Sequence, residues 1–559
     1  MLTTFLVWIY ISFLSWMWGI LFLRLIIKIL KCELQLPHFS IICITGLSAI
    51  TVIAATLSLF IPLGEWWVQF IFIIPCLVLF FKKKPSSFFD TLLKEVKVLR
   101  FFSLILLSAC LLLILVMSGW TVIHPDTLGY HAQIMQWVEK YRAVPGLANL
   151  HVRFGYQWFW FVDSALFSFS FTGVQGVTFL NSTVLFWFFI FFINRIDHNL
   201  FKEGKKLYGV LWIVLLAISM WSYTQVRLTA TSASPDFIAV IFTLVIIYLL
   251  HQKELKTLST STCLLVSFLS FVAVTIKLSV APILLVAFMA AFFGLIKRKI
   301  KLVLTVFFLA ILTFSPFIAR NIITSGYVVF PLASFDIVNV DWKNDKATTL
   351  SERNYVSAYA KNPGLAAVET SAINKMDTEE WLPTWWQYRS TADKSILILL
   401  LISFISALLS LRKIFLSGFI SQFILITLLT GIIFWFVNAP DPRFGFGSIL
   451  GFIGVISYIV FKEKEISIGK NLLTTVLLIF PVSILAYTGY RFVNFFKKDQ
   501  LLTPLGIEKS EFQSYDCKGA KINSPINKDF GTTPIPCTDL SCEKIFPRGS
   551  KIADGFKAK

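Results

Sequence analysis

The feature that most constrains this chain is a succession of apolar runs, about fourteen of them, each near the length a helix needs to cross bilayer hydrocarbon. They lie near Thr4–Ile27, Phe39–Leu63, Trp66–Phe81, Phe101–Trp120, Val177–Ile193, Tyr208–Trp221, Phe237–Leu250, Cys263–Ile276, Val280–Leu295, Leu302–Ala319, Ile396–Leu411, Phe415–Val437, Ser448–Phe461 and Leu472–Tyr487. With 57% of its 559 residues hydrophobic, the chain reads as an all-α polytopic membrane protein. The first run has no basic stretch before it and no small-residue cleavage site, and it continues to spanning length. It is therefore expected to be a span rather than a cleaved signal.

The formal net charge of +19 raises the question of a nucleic-acid partner. The basic residues answer it by their placement. They cluster between apolar runs, at Arg24–Lys31, Lys82–Arg100, Arg195–Lys206, Lys253–Lys256 and Lys297–Lys301, and the clusters fall on one side when the spans are counted off. That is how cytoplasmic loops look, so no nucleic acid is expected. The opposite, outer side receives residues 121–172, the insertion 321–394, and a polar tail from residue 491 to the end.

The first outer stretch, His124-Pro125-Asp126-Thr127-Leu128-Gly129-Tyr130-His131, follows an apolar run directly. A carboxylate just past a span end sits where hydrocarbon stops, ionised yet facing anything lipid tails can reach. The plainer reading is that Pro125 ends one helix and Asp126 caps the next. From His131 to Gln157 apolar and polar residues interleave as in an amphipathic surface helix. Trp158–Phe171, which carries Asp163, is either a second surface helix or part of a span.

Other polar residues join Asp126 at the outer span ends: His124, His131, Arg153, Arg227, Asp236, Lys277, Arg320, Asp441 and Arg443. Singly, each could be an anchor whose charged head reaches for water, above all Lys277 and Arg227. Arg320 and Arg443 sit in turn-like contexts where a guanidinium can present its fork to a phosphate. Trp381, Trp385 and Trp386 have the spacing of a segment at headgroup depth. Cys32, Cys43, Cys76, Cys110 and Cys263 read as small packing residues. In the tail Cys517–Cys537 is the expected disulfide, leaving Cys542 odd, with a loop without any bond as the alternative.

One carboxylate, several cations and aromatic surface helices at one lipid–water boundary are the parts a transfer from a lipid phosphate requires. Their order resembles the GT-C superfamily of polyprenyl-phosphate-sugar glycosyltransferases, the protein O-mannosyltransferase and lipid A aminoarabinose transferase branch in particular. The resemblance rests on Asp126-Thr127-Leu128-Gly129-Tyr130-His131, Ser234-Pro235-Asp236, Thr275-Ile276-Lys277, and Pro316-Phe317-Ile318-Ala319-Arg320-Asn321 with Ser325-Gly326-Tyr327 and Pro331. His124-Pro125-Asp126, Val144–His151 and Ala439-Pro440-Asp441-Pro442-Arg443-Phe444 are similar to a bacterial integral membrane family of that type. So are the tail's Asp516-Cys517, Pro536-Cys537 and Arg548–Phe556.

The resemblance implies a GT-C-like catalytic bundle over residues 99–490, preceded by added transmembrane helices in 1–98 and followed by a small extracytoplasmic tail, 491–559. It implies a bacterial inner-membrane enzyme with its site facing outward. Asp126 would be the general base, with Arg320 and Arg443 on the lipid phosphate. The donor would be a polyprenyl-phosphate-linked sugar and the acceptor a glycan, lipid or protein. Many relatives carry Asp-Glu where this chain has Asp126-Thr127, which puts a divalent metal in doubt. No cofactor is expected. An O-antigen-type polymerase or ligase is the alternative, and a transporter or flippase of lipid-linked saccharide is a third reading, in which charges would sit nearer the midplane.

Overall fold

The structure, a computed structural model, describes residues 1–31, 37–82, 88–251, 258–461, 470–527 and 529–558. Cys32 and the Lys253–Lys256 cluster lie outside the described residues. The chain is overwhelmingly helical. It opens with α1 (Leu2–Leu30), α2 (Phe39–Leu57), α3 (Val68–Lys82), α4 (Phe88–Lys97) and α5 (Phe101–Ser118), and then leaves the bundle for the short α6 (Ala132–Lys140) and α7 (Phe159–Leu166). It returns through α8 (Phe179–Asp197), α9 (Lys206–Trp221), α10 (Leu228–Ala230), α11 (Asp236–His251), α12 (Thr260–Ile276), α13 (Leu284–Ile296) and α14 (Ile300–Ser325). The insertion between α14 and the helices that follow folds as α15 (Lys346–Lys361), α16 (Ala366–Lys375) and α17 (Thr378–Gln387). The last stretch is α18 (Thr391–Leu409), α19 (Leu411–Leu416), α20 (Phe419–Asn438), α21 (Pro442–Phe461) and α22 (Lys470–Phe495).

Each apolar run is a helix, yet the count of fourteen spans does not carry over. Among the described residues ten helices are long and apolar enough to cross a membrane, eleven if the bent pair formed by α9 and the segment Tyr223–Ala230 counts as one span. The runs that fall short are α3, α9, α11 and α12, with 15, 16, 16 and 17 residues. At 1.5 Å per residue such helices reach about 25 Å, less than the ~30 Å of hydrocarbon. Hydropathy reads composition, and α11 and α12 are apolar because they are wrapped in protein: almost every residue of α12 is buried. Close packing of α1 on α2 depends on small residues, since a Cβ added at Gly46 would lie 1.7 Å from the Ser15 carbonyl oxygen.

At one end of the bundle a second apolar cluster unites α6, the following turns and the tail. The helix expected along the surface is covered on both sides. Its Gln133 amide donates to the carbonyls of Phe530 and Thr533, both at 2.8 Å, and Gln136 donates to Gly531 at 3.1 Å. The Trp158–Phe171 stretch holds α7, whose Asp163 is buried and accepts from Thr51 of α2 at 2.6 Å. Of the three insertion tryptophans, Trp381 and Trp385 are buried against protein and Trp386 is exposed.

The tail itself folds. β1 (Phe512–Cys517) and β2 (Ala520–Pro525) form an antiparallel hairpin around Lys518 and Gly519, both with positive φ, as a two-residue hairpin turn requires. Its disulfide is Cys517–Cys542, with a Cα–Cα distance of 5.1 Å, which corrects the expected Cys517–Cys537 pair. Cys537 is fully buried and directs its thiol to Gln133 Oε1 at 2.9 Å, away from the hairpin end. Alkylation of the unfolded, unreduced chain followed by mass spectrometry should therefore label Cys537, and reach Cys517 and Cys542 only after reduction. Label on Cys542 with Cys537 protected would restore the pairing read from the sequence.

Candidate active site

α5 stops at Ser118, and the chain runs extended to Pro125 before a π-helical turn, Thr127–His131, leads into α6. Asp126 precedes that turn but makes no capping hydrogen bond. His124 does the capping: its Nδ1 accepts the Thr127 amide at 3.2 Å. The plainer reading of Asp126 as a helix cap is thereby replaced, and its carboxylate, 27% exposed, is turned to a cavity of about 1000 Å³. That volume is ample for a sugar-sized group with a phosphate.

Two guanidinium groups and an imidazole approach Asp126. Arg443 Nη1 is 3.2 Å from Oδ2, Arg153 Nη1 is 3.8 Å from Oδ1, and His124 Nε2 is 3.8 Å from Oδ2. Burial pushes the Asp126 carboxyl up, but the Arg443 guanidinium above all, with Arg153 and the neighbouring His124 and His131 rings, outweighs it and holds it well below the usual carboxylate range. Burial holds both imidazoles below their ordinary value. A neutral His124 that accepts at Nδ1 carries its proton on Nε2, the nitrogen facing Asp126. Behind it Thr127 Oγ1 bridges His124 Nδ1 at 3.0 Å and His131 Nδ1 at 3.1 Å, which fixes both rings.

Arg443, in the first turn of α21, is shared. Besides Asp126 it faces Asp236 Oδ2 at 3.8 Å and Asp441 Oδ2 at 3.6 Å. Asp236 opens α11 and Lys277 ends α12, so each charge suits its helix dipole, and the two form a buried ion pair. The Lys277 amine also lies 4.8 Å from the centre of the Trp158 ring and 4.5 Å from that of Phe444. Two indoles hold the loop before α21: Trp385 Nε1 donates to the Pro440 carbonyl and Trp435 Nε1 to the Asp441 carbonyl, both at 2.6 Å. Arg153 is clamped between the Tyr130 and Tyr355 rings, at 5.6 and 5.4 Å, while its Nε donates to Glu352 at 3.1 Å.

The cavity thus gathers His124, Asp126, His131, Arg153, Asp236, Lys277, Asp441 and Arg443, as the sequence suggested. Two candidates are elsewhere. Arg320 is 2% exposed and spends its guanidinium on Ser58 Oγ, at 2.5 Å, and Gln157, tying α14 to the end of α2. It is a strut, not a cavity residue. Arg227 turns its guanidinium to the Tyr487 ring, 5.7 Å away. Missed were Glu352, Tyr355 and Tyr359 of α15, which also line the cavity. Their i, i+3, i+7 spacing was the available signal, hidden in a polar insertion where charges cost nothing. No group of three or more His, Cys, Asp or Glu able to hold a metal occurs among the described residues.

Residues 1–450 match the family described as "Domain of unknown function (DUF8201)". The chain belongs to that family. No curated protein and no solved structure matches.

The Asp236–Lys277 pair makes a thermodynamic prediction. Removing one partner of a buried ion pair strands the other, at a cost of about 3–5 kcal/mol, whereas replacing both with apolar or neutral groups avoids most of that penalty. Asp236→Asn and Lys277→Met should each lower the unfolding temperature sharply, and the double variant should recover much of the loss. Strictly additive losses would mean that the two charges are not paired.

Proposed function

We propose that the protein is an integral membrane glycosyltransferase of the GT-C type, moving a sugar from a polyprenyl-phosphate donor to an acceptor hydroxyl, with Asp126 as general base. The observation that carries this reading is the accessible Asp126 carboxylate, free of any capping role, between two guanidinium groups in a cavity of about 1000 Å³ at the end of a membrane helix. A lateral entrance for a lipid fits the same cavity. Phe434 and Val437 line it from the end of α20, and Val437 is 70% exposed on a helix long enough to span.

In the proposed step the acceptor oxygen attacks the anomeric carbon from the face opposite the phosphate, the carbon–phosphate oxygen bond breaks, and the acceptor proton passes to Asp126. The phosphate leaves with both bond electrons, and the configuration inverts. A carboxylate held this low is a weak base, which suits a transition state with strong oxocarbenium character, where the proton moves late, once the attacking oxygen has become acidic. The cavity's cations favour the leaving phosphate. Cytoplasmic basic clusters support an outward-facing site in a bacterial inner membrane.

Asp126→Asn keeps size and most hydrogen bonding but cannot take the proton, so transfer of radiolabelled sugar by membranes carrying the variant should fall by roughly a hundredfold to ten-thousandfold. An undiminished rate at normal expression sinks the assignment.

A pH profile checks the electrostatics. In the wild type Asp126 stays ionised below the ordinary carboxylate value of about 4. Arg443→Gln removes the strongest of the charges that lower it. The Asp126 pKa should rise, and the acid limb of kcat/KM should move to higher pH. An acid limb that stays in place in this variant would mean that another group is the base.

The transport reading draws on one observation, the 62° bend between α9 and Tyr223–Ala230 beside the cavity. Reconstituted vesicles that translocate a fluorescent lipid-linked saccharide without any acceptor would favour it.

A further inference from the structure

The cations closest to Asp126 are already committed. Arg443 is shared among three carboxylates, Arg153 is bound to Glu352 and clamped between two rings, and Lys277 is paired with Asp236. A phosphate drawn to any of them competes with a carboxylate already paired there, and where that carboxylate is buried, as Asp236 and Glu352 are, displacing it strands the charge. Two other cations line the same cavity, Arg353 and Lys361, both on α15. Among the described residues neither lies within ion-pair distance of a carboxylate.

Lys361 is the last residue of α15. It is half-buried, and burial pushes its amine below the usual lysine range. The amine lies 5.8 Å from the centre of the Trp381 ring, and Trp381 packs at 5.6 Å on Phe436 of α20. Phe436 adjoins Val437, exposed on that helix and lining the cavity. An uncompensated ammonium thus sits beside an apolar rim, where a phosphate ester with a greasy tail finds both of its halves matched.

We infer that the anionic subsite of this cavity is formed by Lys361 and Arg353 of α15, which bind the phosphate of an apolar-chain phosphate ester whose chain lies along Phe434 and Val437. The inference rests on the reading of the cavity as a lipid-phosphate site and names the residues that hold the phosphate. It moves that role away from Arg320, which is outside the cavity, and from Arg443, which orders the carboxylates.

The test uses the purified full chain in nanodiscs and farnesyl phosphate as probe, with farnesol and inorganic phosphate as separate arms. Farnesyl phosphate should bind more tightly than either half. Lys361→Gln and Arg353→Gln should each weaken it roughly tenfold, as loss of a charge-assisted hydrogen bond implies. Lys361→Arg, which keeps the charge, should retain most of the affinity, and unfolding temperatures without ligand check that every variant is folded. Equal affinity of wild type, Lys361→Gln and Arg353→Gln overturns the subsite while leaving the role of Asp126 to its own transfer assay. Inorganic phosphate binding as tightly as farnesyl phosphate overturns the apolar-chain part and assigns a free phosphate. No binding of farnesyl phosphate to the folded wild type overturns both the subsite and the lipid-phosphate donor.

Discussion

The arrangement depends on one guanidinium. Asp126, Asp236 and Asp441 come from three distant parts of the chain, and Arg443 lies between 3.2 and 3.8 Å from a carboxylate oxygen of each. Three carboxylates gathered without it would repel one another in a partly buried space, and most would take up protons to escape. With Arg443 among them, and with Lys277 and Arg153 at the flanks, all can stay ionised. The guanidinium therefore fixes more than a local contact. It sets where the turn after α5, the start of α11 and the start of α21 stand relative to one another, because none of them can withdraw its charge without leaving another unpaired.

That constraint explains why much of the site could be read from the sequence. Charges at the ends of apolar runs are costly unless they meet, so Asp126, Asp236, Lys277, Asp441 and Arg443, all at run ends on one side, had a physical reason to converge. Arg227 and Arg320 satisfied the same rule and did not join them. Each sits on a helix whose rotation is set by packing, and the partners that claim them, Tyr487 for one and Ser58 with Gln157 for the other, are remote in sequence. Run ends give the height of a residue in the bundle; they do not give its direction around the helix. Glu352 escaped for the opposite reason, since a glutamate within a polar insertion is ordinary until α15 folds over the cavity.

The fold was legible to a similar depth. Every apolar run became a helix, because a long run of Leu, Ile and Phe with few breakers has little else to form. What hydropathy could not separate was lipid from protein as the surroundings of a helix. α11 and α12 are as apolar as the longer helices but have only 16 and 17 residues, and the charged residues at their ends, Asp236 and Lys277, are buried and meet at the cavity. The disulfide partner was beyond reach for a simpler reason: which of Cys537 and Cys542 meets Cys517 is decided by where the tail docks.

The docking of the tail bears on how the site is built. Leu505 donates its amide to the Gly119 carbonyl at 3.0 Å, and Val122 donates to the Gly506 carbonyl at 2.8 Å, so the tail is hydrogen-bonded on both sides of the extended segment that leads to Asp126. A little further on, Gly531 donates to the carbonyl of Leu128, inside the π-helical turn itself. An extended stretch has backbone groups that water would otherwise satisfy, and water would leave it free to shift. Pairing them with residues 505, 506 and 531 removes that freedom at the one place where a displaced carboxylate would lose Arg443. The family match ends at residue 450, yet the backbone that holds Asp126 in position is completed by residues beyond it. The tail is thus part of the scaffold of the site, and a chain cut before it would keep every charged residue of the cavity while losing the contacts that hold the first of them in place.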